Sequence, residues 1–462
     1  MSAMKKQKTH VKLMTEGKPV SLIVSFAFPL MIGNIFQQMY SVADSMVVGK
    51  TLGVAALAAL GASTWPNWVF LGVAMGLSQG VSITLAHSFG RGDEFRLKRG
   101  FGNSIVLSVV FAMILLVIGE MLAPQMLALL GTPEELIPQA LIYLRISYAG
   151  IPVITAYNLL AATLRALGDS RTPLNSMIAA SVINVALDIL FVCFLGWGIG
   201  GAAWATIIAQ FCSAVLCLPA ILRIRELRIR RADLIPELPF LRSVIILSAP
   251  MMLQNFLIVA GGMVVQSVVN TFSVVFIAGF TAGAKMHGVL EIATSSFGFA
   301  MTTYVAQNLG AGRFDRIHEG VRSSAWAATA TACVIAVVML ITGRLILSGF
   351  VSGTAEEIQA TVDVAYRYLA IMCVCLPVLY LLYIFRSSTQ GLGNTFLPMV
   401  SAFAELIMRV VSALLLARII GETGLFIAEV AAWAGALIVL IFSYIYTISK
   451  IENSGADLLS RV

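Results

Sequence analysis

Charged residues are scarce in this 462-residue sequence: they make up 11% of the chain, whereas soluble globular proteins carry about 25%. Apolar residues reach 59%, and the mean hydropathy is +0.92. A chain so poor in charge is not a soluble globular protein, and its apolar runs leave little sequence for a separate soluble domain. The composition therefore predicts a membrane protein.

The sequence also lacks the patterns that mark catalytic and metal sites. It contains no HExxH motif and no nucleophile with a neighbouring base. Its six cysteines all fall within apolar runs, and none has zinc or thiol redox spacing, so we interpret them as packing residues. We therefore expect neither an enzyme nor a cofactor. The net charge of +7 arises in loops and does not indicate nucleic-acid binding.

Apolar runs separated by charged or Gly/Pro-rich breaks predict an all-α polytopic membrane protein with twelve transmembrane helices. The predicted helices cover 20–48, 55–87, 101–123, 138–164, 174–196, 200–222, 240–270, 277–308, 322–348, 362–385, 396–419 and 425–449. Most lysines and arginines fall in alternate loops, and the positive-inside rule places those loops in the cytoplasm. Arg386 is predicted to lie in one of these loops. The tails 1–19 and 450–462 are then both cytoplasmic, in a plasma (inner) membrane protein. Within the basic linker 223–239, the run RIRELRIRR (223–231) could alternatively bind anionic lipid head groups.

Three blocks of sequence recur in the same order in the second half of the chain. The matched pairs are FPLMIGN (28–34) with APMMLQN (249–255), ITLAHSFGRGDEFRLKRG (83–100) with TYVAQNLGAGRFDRIHEG (303–320), and LRALGDSRTPL (164–174) with TQGLGNTFLPM (389–399). They predict two six-helix halves, an N-lobe over 20–222 and a C-lobe over 240–449. Because six is even, the repeats are parallel and related by an axis along the membrane normal. Two such lobes leave a cleft between them, which is typical of transporters.

A polar stripe in the first predicted helix indicates a candidate site. A carboxylate near the bilayer centre costs about 2.5 to 3.5 kcal/mol on insertion scales, so Asp44 requires an explanation. Polar residues recur there at spacings of three and four and therefore share one helix face: Asn34, Gln37, Gln38, Ser41, Asp44 and Ser45. That face should line a wet cavity or a protein interior. The alternative is a polar network that only holds helices together.

A second polar set lies on the fifth and sixth predicted helices. Asn184 and Asp188 are four residues apart and share a face, and Thr206 lies at a matching depth. Their oxygen atoms could bind a proton or Na⁺, or form an inert network.

Substrate contacts are expected from side chains along the cleft, because thioethers adapt their shape and aromatic faces attract organic cations. The predicted contact residues are Asn34, Phe36, Gln37, Tyr40, Ser41, Tyr157, Met252, Gln254, Asn255 and Phe256.

Other intramembrane charges lie in the second half of the chain. Glu405 and Arg409 are spaced to neutralise each other, with a role in gating as the alternative. Glu291 is interpreted as an interfacial or inter-helix contact, with a part in coupling as the alternative. Glu429 is expected near a helix end, where a long side chain can reach the interface.

The segments QQMYSVADSMVVG, TLRALGDSRTPL, NVALD and GIGGAAWAT resemble the multidrug and toxic compound extrusion transporters, and the similarity covers essentially the whole chain. The resemblance implies a V-shaped, two-lobed protein that exports organic cations and other amphiphiles in exchange for H⁺ or Na⁺. It places the family's helix 1 aspartate at Asp44. It also places the N-lobe cation site of the DinF-like members at Asn184, Asp188 and Thr206.

The sequence departs from the NorM-like members of that family. They carry a glutamate on helix 7 and an aspartate on helix 10, whereas this chain has Gln254 and Asn255 in the first region and no acid in YLLYIFRSSTQ. Coupling is therefore expected in the N-lobe, with helix 1 bending near Pro29 or Gly33. A monomer should suffice as the functional unit. The alternatives are a flippase for lipids or lipid-linked precursors, which would need a strongly cationic cleft, and a receptor or channel.

Overall fold

The computed structural model describes residues 11–349 and 355–454, and these residues form thirteen α-helices and no strands. The helices are α1 (Pro19–Leu52), α2 (Val54–Arg91), α3 (Glu94–Leu129), α4 (Ile137–Ala149), α5 (Ile151–Ala166), α6 (Arg171–Asp188), α7 (Gly198–Arg223), α8 (Leu238–Val269), α9 (Val274–Gly310), α10 (Phe314–Ser348), α11 (Ala355–Gly391), α12 (Phe396–Ile420) and α13 (Glu422–Ser454). Eleven of them are long and apolar enough to cross a membrane. The all-helical prediction is confirmed, although the helices extend beyond most predicted ends. The predicted tails 1–19 and 450–462 lie partly outside the described residues.

The fourth span is bent, which the sequence pattern did not predict. Helices α4 and α5 meet at an angle of 46° around Gly150, and together they make a twelfth span. Pro152 is the second residue of α5 and has no backbone N–H, so it cannot continue the hydrogen bonds of α4. The predicted continuous helix 138–164 is therefore two helices.

Helix α6 changes its winding directly after Asp188. Residues Ile189–Phe194 form a π-helical segment, and the Leu195 N–H donates to the Leu190 carbonyl, five residues earlier, at 2.9 Å. Such segments are rare and occur frequently at functional sites.

We call α1 to α7 the N-lobe and α8 to α13 the C-lobe, following the predicted division of the chain. Helix α2 packs against α8 and α9, and α1 packs against α9 and α10, so the first two helices of each half form the junction. We call the end of the bundle where α1 begins and α13 ends the terminal face, and the opposite end the far face. The linker after α7 contains two 3₁₀ turns, Arg225–Leu227 and Arg231–Leu234, and is held to α3 by ion pairs from Arg99 to Asp233 (3.9 Å) and Glu237 (3.0 Å).

Glycines bring the backbones of the two lobes together. A Cβ atom on Gly80 would lie 2.1 Å from the Ser248 Oγ, and one on Gly76 would lie 2.6 Å from the Met252 nitrogen. The Ser248 hydroxyl donates to the Leu77 carbonyl at 3.2 Å. Larger residues at these two positions of α2 would force α8 away.

The lobes also meet at the terminal face, through two equivalent hydrogen bonds. The His87 Nε2 lies 2.8 Å from the Gly391 carbonyl oxygen, and the Gln307 Nε2 donates to the Ala166 carbonyl at 2.8 Å. Beside them α2 and α9 cross so closely that a Cβ on Gly90 would lie 2.0 Å from the Gln307 carbonyl oxygen. We call these contacts the terminal seal.

Candidate functional site

Three helices of the N-lobe bring the predicted coupling residues to one place. Helix α6 packs against both α1 and α7, and α1 touches α7. Asn184 and Asp188 are completely buried, and Asp44 is 7% exposed. The Asn184 amide donates to the Thr206 hydroxyl at 3.4 Å. Asp44 lies close enough to Asp188 for the two carboxyl groups to interact electrostatically.

Most oxygen atoms of this group have no hydrogen-bond partner among the described residues. They are one oxygen of Asp44, the amide oxygen of Asn184 and both carboxyl oxygens of Asp188. A buried acceptor without a partner costs about 1 to 3 kcal/mol, so four of them at one place favour a bound proton or cation. Within the described ranges no three His, Cys, Asp or Glu residues cluster as metal ligands. The oxygen-rich set therefore fits a proton or Na⁺ rather than a transition metal.

Two further residues of the site were missed from the sequence. They are Gln210 on α7, which lies beside Tyr40, and Tyr143 on α4, which lies near the two aspartates. Gln210 follows Thr206 by four residues, so the spacing that identified Asn184 and Asp188 could have identified it as well. Tyr143 stands in an apolar run and gave no such signal.

The predicted cleft residues divide into two groups. The polar ones on α8 make contacts within the protein: the Asn255 amide donates to the Gly72 carbonyl at 2.9 Å, and the Gln254 amide oxygen accepts from Gln390 at 3.1 Å. Asn34 on α1 donates to the Ser296 hydroxyl at 3.3 Å. These side chains join helices at and near the lobe junction.

The other predicted cleft residues differ in exposure. Tyr157 is buried in the N-lobe core, and Met252 packs against Gly76. The remaining predicted residues keep accessible surface, and they are Phe36, Gln37, Tyr40, Ser41 and Phe256. Asn34, Met252 and Asn255 are half-buried as well, so of the predicted cleft residues only Tyr157 and Gln254 are fully buried in this structure.

A buried ion-pair network occupies the C-lobe. The predicted pair of Glu405 and Arg409 is present at 3.0 Å, but Glu405 also accepts from Arg386 at 2.7 Å. All three side chains are less than 10% exposed. The prediction that Arg386 lies in a loop is wrong, because α11 continues to Gly391 and buries it. Hydropathy does not distinguish a loop arginine from one neutralised inside a lobe.

The network extends to two more glutamates. Arg409 also contacts Glu429 at 3.1 Å, and the Tyr383 hydroxyl donates to Glu291 at 2.8 Å. Glu429 is therefore an ion-pair partner inside α13, and the expectation that it reaches the interface is wrong. Glu291 is the inter-helix contact that one interpretation of the sequence predicted.

Comparisons with known proteins agree with this architecture. The sequence model of the family named MatE matches residues 29–190 and 250–415. The chain is 32% identical over 311 residues to the probable multidrug resistance protein YpnP of Bacillus subtilis, which covers 66% of this chain and 68% of that protein. It is 28% identical over 355 residues to the probable multidrug resistance protein YoeA of the same organism, with 75% of each chain covered.

A similar fold is found among solved structures. The outward-facing conformation of a multidrug resistance MATE family transporter superposes with a TM-score of 0.87 over 99% of this chain and all of the other, at 21% identity. At that identity the likeness concerns the fold. The V-shaped, two-lobed arrangement of twelve spans is therefore confirmed.

Proposed function

This chain belongs to the multidrug and toxic compound extrusion family, and from that membership we propose that it is an antiporter that exports organic cations or other amphiphiles in exchange for H⁺ or Na⁺. Members of this family are transporters, so the protein is not an enzyme. The coupling ion, the site and the direction of transport form the rest of the proposal.

The observation that carries the proposal is the group of oxygens at Asp44, Asn184 and Asp188 that find no hydrogen-bond partner in the described part of the chain. Two buried carboxyl groups that interact cannot both remain charged without compensation, because desolvation and mutual repulsion both disfavour the doubly ionised form. One proton or one Na⁺ removes that repulsion. The Asn184 amide nitrogen is held by Thr206, which leaves the amide oxygen as a further acceptor for the ion.

Ion binding can drive transport only if it favours one arrangement of the lobes over the other. Asp44 lies on α1, the helix whose first half packs against the C-lobe, so a change at Asp44 reaches the lobe junction along one helix. Loading of the carboxyl pair would bend α1 near Pro29 or Gly33 and expel the substrate. Release of the ion on the other side would restore the charged pair and attract the next cation.

The orientation follows from the positive-inside rule, which places the terminal face in the cytoplasm. Because the terminal seal is closed, we infer that the structure corresponds to an outward-open state, and its similarity to an outward-facing transporter supports this. The accessible residues Phe36, Tyr40 and Ser41 on α1 would meet the substrate in that state. A flippase is not favoured, because Arg386 and Arg409 are neutralised by glutamates and do not present a cationic cleft.

The test is export of a fluorescent organic cation from proteoliposomes, with pH and Na⁺ gradients imposed separately. We expect Asp44→Asn and Asp188→Asn to abolish gradient-driven export, and the gradient that drives the wild type identifies the ion. Glu120→Gln is the matched control, since this N-lobe acid pairs with Arg145 at 3.8 Å away from the site. Wild-type export by either aspartate variant would reject the coupling site, and absence of export by well-folded wild type under both gradients would reject the antiporter.

A further inference from the structure

The chain that precedes α1 crosses the terminal face between the two lobes. The Lys12 N–H donates to the Leu167 carbonyl of the N-lobe at 3.2 Å. Two residues later, the Met14 N–H donates to the Gln307 side-chain oxygen of the C-lobe at 2.8 Å. Residues 11–17, which we call the strap, therefore bind both lobes within three consecutive residues.

The C-lobe side of the strap is built around a buried arginine. Arg316 is 9% exposed, and its guanidinium binds the Asn308 amide oxygen at 3.1 Å, the Met14 carbonyl at 3.3 Å and the Gly17 carbonyl at 2.9 Å. Asn308 also donates to the Met14 carbonyl at 3.1 Å. If the strap left, the guanidinium would lose two of these three acceptors. A buried charge without acceptors is costly, so the C-lobe favours a seated strap.

Apolar packing holds the same segment. The Met14 side chain is 2% exposed and belongs to one buried cluster with Leu309 and Ile317 of the C-lobe. On the N-lobe side the fit depends on Gly168, where a Cβ would lie 2.0 Å from the Lys12 carbonyl oxygen. Gly168 also has a φ of +83°, which residues with a Cβ rarely adopt.

The strap and the terminal seal share one side chain. Gln307 accepts from the Met14 N–H through its oxygen and donates to the Ala166 carbonyl through its nitrogen. The strap thus orients the amide that closes one half of the seal. When the terminal face opens, Leu167 and Gln307 separate, and a strap of seven residues with a buried Met14 cannot keep both contacts in this geometry.

We propose that the strap is an interlobe latch: it stabilises the closed terminal face and must leave the C-lobe or the N-lobe before that face opens. The proposal rests on the alternating access proposed above, and it adds a segment outside the membrane spans that sets the balance between the two states.

The experiment measures the distance between two spin labels at the terminal face, in a variant whose six native cysteines are replaced by alanine. The labels replace Arg171 at the start of α6 and Arg313 before α10, because both side chains are exposed and belong to different lobes. Deletion of residues 2–15 removes the strap contacts at Lys12 and Met14. Deletion of residues 2–10 is the control, since it retains them.

A second pair of variants keeps the full chain. Met14→Asp places a charge where the structure has a buried thioether and should expel the strap, whereas Met14→Leu keeps an apolar side chain of similar size. We expect the deletion of 2–15 and Met14→Asp each to raise the population with the longer distance roughly tenfold relative to its control. Elution as one symmetric peak by size exclusion shows that each variant is folded.

The outcome for the latch is independent of the outcome for transport. Equal distance distributions in the deletion of 2–15, in Met14→Asp and in their controls would overturn the latch, even if export remains coupled to an ion. A longer distance in both variants supports the latch, even if the proteoliposome assay finds no export under either gradient.

Discussion

His87 and Gln307 occupy equivalent positions in the two halves of the chain, and each binds a backbone carbonyl of the opposite lobe at 2.8 Å. Their acceptors, Gly391 and Ala166, are also equivalent in the repeat. The internal duplication is therefore visible as a pair of symmetric contacts at the lobe junction. Each contact closes one side of the terminal face.

Removal of one seal contact should loosen the terminal face without opening it completely. A hydrogen bond contributes about 0.5 to 1.5 kcal/mol, so His87→Leu should raise the open population roughly two- to tenfold. The measurement is the distance between labels at Arg171 and Arg313. Ser88→Ala is the control, because its hydroxyl donates to Thr84 within α2. An unchanged distance distribution in His87→Leu would show that the contact does not close the face.

Gly90→Ala should have a larger effect than loss of one hydrogen bond. The added Cβ would lie 2.0 Å from the Gln307 carbonyl, and backbone cannot yield as a flexible side chain can. We expect the closed face to be lost and export to slow. Gly61→Ala, in the same helix with open space around the added Cβ, should behave as wild type. Retention of the closed distance by Gly90→Ala would contradict the close crossing of α2 and α9.

The C-lobe network should be needed for stability. Glu405→Gln leaves Arg386 and Arg409 with a weakened partner in a buried place, and breaking a buried pair costs about 3 to 5 kcal/mol. Asp363→Asn is the control, since it breaks an exposed pair with Arg344 and should cost less than about 1 kcal/mol. The free energy of unfolding in detergent micelles tests this difference, and equal losses in both variants would contradict it.

Thr206→Val should weaken ion binding without abolishing transport. The substitution removes the acceptor of the Asn184 amide and so frees that side chain to rotate. We expect the ion concentration at half-maximal export to rise roughly two- to tenfold, with the maximal rate retained. Thr64→Val is matched to it, because Thr64 donates only to the Leu60 carbonyl of its own helix. If both variants shift equally, Thr206 does not orient the site.

The sequence predicted the helical fold and singled out Asp44, Asn184 and Asp188 as candidates, because both leave local signals. Asp44 is conspicuous as a carboxyl group in an apolar run, and Asn184 and Asp188 share a face through helical spacing. Asp44 lies in the first predicted helix, and Asn184 and Asp188 lie in the fifth. These side chains therefore come together once the two helices pack against each other.

The remainder depends on contacts between segments far apart in the chain. Arg386 has the same hydropathy in a loop as in an ion pair, and Tyr143 is indistinguishable from a core aromatic residue until α4 is packed against α2 and α7. The internal repeat aligns ITLAHSFGRG with TYVAQNLGAG, so that His87 and Gln307 are equivalent positions of the two halves. The alignment gave no reason to expect that both would donate to carbonyls. No periodicity marks the strap, since its hydrogen bonds use backbone groups and its apolar packing rests on the single side chain of Met14.

Both acceptors of the terminal seal are main-chain carbonyls, at Ala166 and Gly391. The two hydrogen bonds that close the face therefore use no acceptor from a side chain. The residues of α1 that remain accessible, such as Phe36 and Ser41, take no part in it. The range of molecules that the protein accepts and the barrier that keeps its two sides from being open at once can therefore change independently. A substitution of the proposed substrate contacts Phe36 or Ser41 should therefore leave the terminal face closed.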